Sequence, residues 1–379
     1  MSAITANPAD SLYGHCFTPD RRWSARMELD FAVRQGRTTL TKMQFSGPLR
    51  VQRPFYPEAA PTNAPGRTQA SRPCHCCLLH PPGGLVSGDD LSLAVRLEQG
   101  AHALITAPSA SKFYAADAHN VPQRQTSDLA VTGGMLEWLP RETIIYDGAR
   151  AEMRTSVELD NASACIGWEM ICLGRPAANE GFTHGSVRQS LILTREGLPL
   201  LHEVLRFEGG DALQECACGL RGQAVAATLF AVGRGADTDD TTNLAGQDLA
   251  ALEACCAALQ DRISPRRDFD AAPDDAPGGT SGDTPGGTPG GILGGTPDAA
   301  PCGQSSAAGD GSVQARPVPL PTHMRERAGA TVRGEVLVVR YLGPDMEEAR
   351  NLLLTAWNML RPALTGCPPH MPRIWYGAF

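Results

Sequence analysis

Lysine is almost absent from this sequence, which contains Lys42, Lys112 and no other lysine. Acidic residues number 41 against 33 basic residues, which gives a formal net charge of -8. Nucleic acids and anionic membranes bind proteins through clustered lysine and arginine. The composition therefore excludes a nucleic-acid surface and an anionic membrane as partners.

Long apolar runs are also missing. No stretch approaches the ~18 consecutive apolar residues that a membrane-spanning helix needs. The first thirty residues contain Asp10, Asp20 and two arginines before Trp23, so they lack the apolar centre of a signal peptide. Apolar residues still make up 42% of the 379, which is enough to bury a sizeable core. We therefore expect a globular protein of the cytoplasm.

Cysteine is too sparse for a disulfide scaffold. The chain has 12 cysteines, and several are adjacent or alternate, as in Cys76-Cys77, Cys255-Cys256 and the pair Cys216 and Cys218. This density and spacing favour reduced thiols.

Catalytic motifs are missing as well. Gly83 and Gly88 have the spacing of a phosphate loop, but Asp89 and Asp90 replace its Lys and Ser/Thr, and two carboxylates would repel phosphate. Ser109 and Lys112 have the spacing of a serine acyl enzyme without the supporting motifs. The sequence predicts a protein that is not an enzyme.

Most of the chain has the period-two alternation of β-strands. Four segments place such strands on either side of a turn signal, and we interpret each as a hairpin: 91–105, 129–139, 153–173 and 187–207. Turns every 8 to 12 residues indicate a mainly β architecture.

Two segments have a helical period instead. Residues 247–263 place Leu249, Leu252, Cys256 and Leu259 on one face. A broader apolar stripe runs from Ala349 to Leu360, with Asp345 as the amino-terminal cap and Pro362 as the predicted end.

Composition divides the chain into four parts. We expect a flexible amino terminus over 1–22, a β-rich domain over 23–267, a disordered Pro/Gly/Asp-rich insertion over 268–316, and a carboxy-terminal strand and helix over 317–379 that complete the same domain. The insertion has almost no large apolar residue and cannot bury a core.

Several segments with characteristic glycine and proline residues indicate a family. These are Gly47–Glu58, His80–Asp89, Ala107–Tyr114, Leu136–Pro140, Leu173–Pro176 and Pro372–Trp375. Together they closely resemble the UreD/UreH-type urease accessory proteins, over roughly residues 23–235 and 330–376.

The resemblance implies a single mainly β domain whose strands are layered in a β-helix-like arrangement with two α-helices. It implies a scaffold or chaperone that is required for urease maturation and helps insert nickel into apo-urease. The implied partners are apo-urease, an F-type accessory protein and a G-type GTPase. Ni²⁺ would pass transiently, and no cofactor would be tightly bound.

Carboxylates inside strand patterns are the candidate ion ligands, because a buried charge is costly unless it is paired or binds a cation. Glu203 shares a strand face with Leu201 and Leu205, and Glu137 lies in a strand that is apolar on both faces. Glu169 follows Trp168, and Asp89 follows the glycine-rich turn. We expect a transient nickel path from these four, namely Glu203, Glu169, Asp89 and Glu137. The alternatives are pairing of the glutamates with Arg175 or Arg141, a solvated Glu169, and a purely structural turn at Asp89.

The cluster Cys74-His75-Cys76-Cys77, with His80 beyond it, is a second candidate metal site, since thiolate and imidazole suit zinc and nickel. In a strand, however, Cys74 and Cys76 would face away from His75 and Cys77. The alternative function is therefore a zinc- or nickel-binding enzyme that uses the Cys74–His80 region. A third is a family member with only an interaction role.

Overall fold

A computed structural model of the chain describes residues 21–59, 71–236, 243–264, 320 and 323–375. All of them belong to one compact unit. Residues 1–20 and the predicted insertion at 268–316 lie outside the described residues, so the flexibility and disorder expected there stay predictions.

The described residues form seventeen strands and four α-helices. The strands are β1 (Trp23–Arg34), β2 (Arg37–Ser46), β3 (Arg50–Phe55), β4 (Cys74–Leu79), β5 (Asp89–Leu97), β6 (His102–Thr106), β7 (Ser111–Phe113), β8 (Gln123–Val131), β9 (Met135–Leu139), β10 (Thr143–Ile145), β11 (Arg150–Leu159), β12 (Ala164–Leu173), β13 (Ser186–Arg195), β14 (Leu198–Glu208), β15 (Val225–Val232), β16 (Ala328–Arg333) and β17 (Val336–Gly343). The helices are α1 (Ala212–Glu215), α2 (Leu244–Ile263), α3 (Met324–Arg327) and α4 (Met346–Thr365). The prediction of a mainly β fold is confirmed, and α2 and α4 are the two helices expected from periodicity.

The strands form two sheets. Sheet A has the order β14-β13-β11-β8-β5-β1-β2. Sheet B has the order β16-β17-β15-β12-β9-β6-β4-β3, with β7 and β10 paired beside β12. Neighbours in the middle of each sheet are parallel, for example β5 with β8 in sheet A and β6 with β9 in sheet B. Because the chain alternates between the sheets, successive pairs of strands stack as the coils of a β-helix do.

Three of the four predicted hairpins are wrong. The segments 91–105, 129–139 and 153–173 each have one strand in sheet A and the next in sheet B, so their strands do not pair with one another. Only 187–207 is a hairpin, in which β13 pairs antiparallel with β14. A turn between alternating strands has the same sequence pattern in both cases, and the parallel partners that decide between them lie far away in the chain.

The corners between sheets stack on each other through hydrogen bonds. The Gly100 amide donates to the Gly133 carbonyl at 2.8 Å. The Asp160 carboxylate accepts from the Gly133 amide at 2.9 and 3.0 Å and from the Ser163 hydroxyl at 2.5 Å. These bonds satisfy backbone groups at the corners, where the ladder of each sheet ends.

Apolar layers lie on both sides of sheet B. One fills the space between the sheets and includes Phe31, Ile105, Trp138 and Phe230. The other lies between sheet B and helices α2 and α4 and includes Trp168 and Trp357. None of the described helices is long and apolar enough to cross a membrane.

Helix α4 is longer than predicted. Asp345 caps its amino end by accepting hydrogen bonds from the amides of Glu347 and Glu348. Pro362 does not end the helix, which continues to Thr365 and stops at Gly366, whose φ is 73°. Burial of Leu360 and Leu364 on the same face explains why the helix continues past the proline.

Candidate functional site

Glu169 lies between the two sheets. It belongs to β12, where Trp168 and Met170 pack toward the helices, so that the alternate position of Glu169 faces sheet A. The Gln189 side-chain amide of β13 donates to its carboxylate at 2.6 Å, and Thr155 of β11 also hydrogen-bonds to it. Burial raises the pKa of Glu169 more than these hydrogen bonds lower it. The interpretation of a freely solvated Glu169 does not fit this half-buried position.

Two cavities meet at Glu169. The first has a volume of about 160 Å³ and is lined by His80, Trp138 and Ser109 among others. The second has a volume of about 460 Å³ and opens toward β14 and β17. Glu169 and Gln189 line both. One carboxylate therefore lies in the wall of two spaces whose linings are mainly apolar.

Glu203 lies in the wall of the second cavity. It is on β14 at the edge of sheet A, and its carboxylate pairs with Arg340 of β17 in sheet B. The Glu203 side chain is 26% exposed and that of Arg340 is 60% exposed. The expected apolar face is thus an open edge of the sandwich, and the cation that pairs there is Arg340 and not Arg175 or Arg141.

Asp89 closes the glycine-rich turn. Its carboxylate accepts from the Val86 amide at 2.9 Å, and its own amide donates to the Val86 carbonyl at 3.0 Å. Burial raises the pKa of Asp89, while the Val86 hydrogen bond and nearby His80 lower it. His80 lines the first cavity, but Asp89 is not among the lining residues. The geometry of Asp89 is that of a turn residue.

Glu137 lies on the opposite face of sheet B from the cavities, under α4. Both carboxylate oxygens accept from Arg361 Nε at 3.0 Å, and the Trp357 indole donates at 2.7 Å. His102 Nε2 lies 2.7 Å from the same carboxylate. The structure therefore does not bring Glu137 together with Glu169 and Glu203, and its partner is Arg361 instead of Arg141.

Glu58 completes this buried ionic cluster, which we define as Glu58, His75, His102, Glu137 and Arg361. Arg361 Nη2 donates to both Glu58 oxygens at 2.7 and 2.8 Å, and His75 Nε2 lies 2.5 Å from Glu58. Burial alone would raise the pKa of Glu137, but Arg361 and His102 outweigh it and lower that pKa to about 2. Burial would lower the pKa of His102, but hydrogen bonds to Cys367 and Glu137 raise it to about 9. The cluster holds α4 against sheet B.

The Cys74–His80 region is divided between faces of sheet B. Cys74 and Cys76 lie in the apolar layer between the sheets, while His75 faces Glu58 under α4. Burial raises the pKa of the Cys74 thiol to about 11 and that of Cys77 to about 11. Within the described residues, no three His, Cys, Asp or Glu side chains are grouped so as to hold a metal ion.

Comparison with known proteins identifies the family. The family model described as UreD urease accessory protein matches residues 24–376. The chain belongs to the UreD family. It is 35% identical to the urease accessory protein UreD of Chromohalobacter salexigens, over 96% of this chain and 91% of that protein. It is 34% identical to that of Marinobacter nauticus, over 96% of this chain and 95% of the relative. It is 33% identical to the urease accessory protein UreD of Pseudomonas putida, over 94% of this chain and 95% of that protein.

Sequence reasoning missed the residues that give this UreD-family site its geometry. Gln189 and Thr155 reach Glu169 from sheet A, and Arg340 reaches Glu203 from sheet B. All three lie in alternating strands with no unusual pattern. A clue to Arg361 was available, because it lies three residues before Leu364 in an apolar helix stripe, where an arginine needs a buried acidic partner.

Proposed function

We propose that this chain is a non-enzymatic maturation factor that binds apo-urease in the cytoplasm and lets Ni²⁺ pass toward the urease site. Nickel is cargo in this role and not a resident cofactor. An F-type accessory protein and a G-type GTPase would join the same complex, with the GTPase supplying nucleotide chemistry. Membership of the UreD urease accessory family supports the role in urease maturation.

The observation that carries the nickel path is the position of Glu169 in the wall of both cavities. Its hydrogen-bond partners, the side chains of Gln189 and Thr155, are neutral. Their hydrogen bonds therefore leave the charge of the ionised carboxylate uncompensated. A half-buried carboxylate whose hydrogen-bond partners among the described residues are neutral offers a divalent ion a favourable charge interaction.

The chemistry of the path suits transfer better than storage. Nickel binds nitrogen and sulfur ligands strongly, so an ion that must move on is better served by a few oxygen ligands and water. Arg340 beside Glu203 adds a competing cation at the second cavity, which weakens binding there. Both features favour an ion that exchanges instead of one that remains.

The first cavity is suited to hold water. The Trp138 indole nitrogen is buried and has no hydrogen-bond partner among the described residues, and Trp138 lines this cavity. A buried donor of this kind is normally satisfied by water. Water along the path would let a hydrated Ni²⁺ travel without losing its whole shell.

Charge removal tests the proposal. Glu169→Gln and Glu203→Gln keep the size and some hydrogen bonding of each side chain but remove the charge. Each variant should still co-purify with apo-urease and yield urease of low nickel content by elemental analysis. Glu208→Gln, an exposed change on the same strand as Glu203, is the matched control and should load nickel fully.

Two results would contradict this function. Full nickel loading of urease with both substitutions together would show that the two carboxylates do not form a nickel path. Loss of the complex with apo-urease would show that their role is structural.

A further inference from the structure

A pair of thiols lies in the turn after α1. Cys216 and Cys218 are separated by Ala217, and their Sγ atoms are 3.4 Å apart. Both side chains therefore point to the same side of the turn. Cys218 is exposed and Cys216 is half-buried.

This pair differs from the other described cysteines, most of which are buried. Burial raises the pKa of the Cys172 thiol to about 11 and moves that of Cys76 well above its ordinary value, so those thiols stay protonated. Cys216 and Cys218 instead lie within hydrogen-bond distance of each other, and a cation that binds both sulfur atoms would replace both thiol protons.

Hydrogen bonds define the backbone around the pair. The Cys216 amide donates to the Ala212 carbonyl at 2.9 Å, and the Gly219 amide donates to the Cys216 carbonyl at 3.0 Å. The Leu220 amide donates to the Leu213 carbonyl at 2.9 Å. These bonds fix the backbone positions of the two cysteines before any ion binds.

The turn leads directly into the second cavity. Leu220 is buried and lines it, as does the next residue, Arg221. Glu203 and Glu169 line the same cavity. The thiol pair thus lies two residues along the chain from the wall of the proposed nickel path.

We propose that Cys216 and Cys218 form a surface site that binds a divalent nickel ion through both sulfur atoms. Binding converts two thiols and one Ni²⁺ into a nickel dithiolate and releases two protons, and the remaining positions stay open to water or to a ligand from another protein. The inference rests on the proposed function only for the choice of nickel as the physiological ion. With metal–sulfur bonds of about 2.3 Å, a sulfur separation of 3.4 Å gives an angle of roughly 95° at the metal. That angle is close to the square-planar arrangement that Ni²⁺ adopts.

Two thiolates with open positions suit collection of an ion better than permanent storage. Structural metal sites close all four positions with protein ligands, whereas this pair supplies two. An oxygen ligand or a partner's side chain could then displace the ion toward the cavity.

Nickel titration of the reduced, purified full-length protein tests the site without urease. The wild type should develop sulfur-to-nickel charge-transfer absorption that saturates at one ion per chain. Cys216→Ser and Cys218→Ser should each lose this absorption. Ala217→Ser, an exposed change between the two thiols, and Cys172→Ser should keep it, which separates a specific loss from a general effect of substitution.

The inference is overturned if the wild type shows no such absorption, or if both serine variants retain it. It is equally overturned if the pair closes to a disulfide under reducing conditions, seen as a loss of two titratable thiols, because no site would then remain. These outcomes do not depend on Glu169→Gln, so the nickel path and the thiol site can fail separately.

Discussion

At the scale of single residues, Arg361 is the most consequential side chain outside the cavities. It is fully buried and pairs with two carboxylates, Glu58 and Glu137, which holds α4 against sheet B. Burial of an ion pair gives little net stability, but removal of one partner leaves the other charge uncompensated.

Arg361→Met should therefore reduce the free energy of unfolding by about 3 to 5 kcal/mol, measured by urea unfolding. Arg175→Met is the matched control, since Arg175 pairs with Glu180 at the surface, where solvent screens the pair, and its loss should cost far less. Equal effects of the two substitutions would show that burial of the Arg361 pairs has no energetic weight.

His102 in the same cluster predicts a dependence of stability on pH. Its folded pKa of about 9 lies above the ordinary value of 6.5, so the folded protein holds a proton that the unfolded chain releases. The resulting stabilisation is fully present below pH 6.5 and is lost as the pH rises through 9. Glu137 acts at the other end, because its folded pKa of about 2 makes its contribution present above 4.5 and lost as the pH falls through 2.

His102→Asn should remove the alkaline part of this dependence. The difference in unfolding free energy between wild type and variant should shrink as the pH rises from 6.5 to 9, in a series of urea unfolding curves. His202→Asn, a change at an exposed position, should keep the wild-type slope. A constant difference between wild type and His102→Asn across that range would mean that His102 does not titrate as described.

There is a physical reason why the carboxylates of the site could be predicted from the sequence and their partners could not. Alternation within one strand was enough to single out Glu203, and alternation together with the family resemblance singled out Glu169. It could not supply their surroundings, because Arg340 is 137 residues from Glu203 and Arg361 is 224 residues from Glu137. Glu137 was grouped with the path on strand position and Asp89 on its place after the glycine-rich turn; the structure puts Glu137 under α4 and pairs Asp89 with Val86 in that turn.

At the scale of secondary-structure elements, α4 is a main part of the core. Trp357 is fully buried, makes an edge-to-face contact with Trp375 and donates to Glu137. Trp357→Ala should cost about 3 to 5 kcal/mol in unfolding free energy, because it opens a cavity and leaves Glu137 with one bond fewer. Glu347→Ala on the exposed face of the same helix should cost less than about 1 kcal/mol. Unchanged stability of Trp357→Ala would mean that α4 contributes little to the core.

Strand identity was predictable from periodicity, whereas strand pairing was not. The corners at Gly133-Gly134 and Asp160-Asn161 give the same kind of turn signal in the sequence as the hairpin at Glu196-Gly197. What separates them is the parallel pairing of β5, β8, β11 and β13, which depends on contacts between coils. A turn signal marks where a strand ends, and the packed layers on both sides of sheet B decide which sheet receives the next one.

At the scale of the whole molecule, the two sheets leave two cavities that share one carboxylate, Glu169, and we propose that these cavities form a route for an ion. The apolar layer between the sheets contains Phe31, Ile105 and Phe230, yet it is interrupted at Glu169. A maturation factor that only held urease in shape would gain nothing from this interruption, since a half-buried carboxylate costs stability. The central claim is therefore that Glu169 serves ion transfer.

The most direct test is the initial rate of nickel incorporation into apo-urease at limiting Ni²⁺, with wild type, Glu169→Asp and Glu169→Gln in the same purified assembly. We predict that Glu169→Gln is slowest, that Glu169→Asp keeps much of the wild-type rate because it keeps the charge, and that excess nickel narrows the difference. Equal rates for wild type and Glu169→Gln at limiting nickel, with the complexes intact, would contradict the claim.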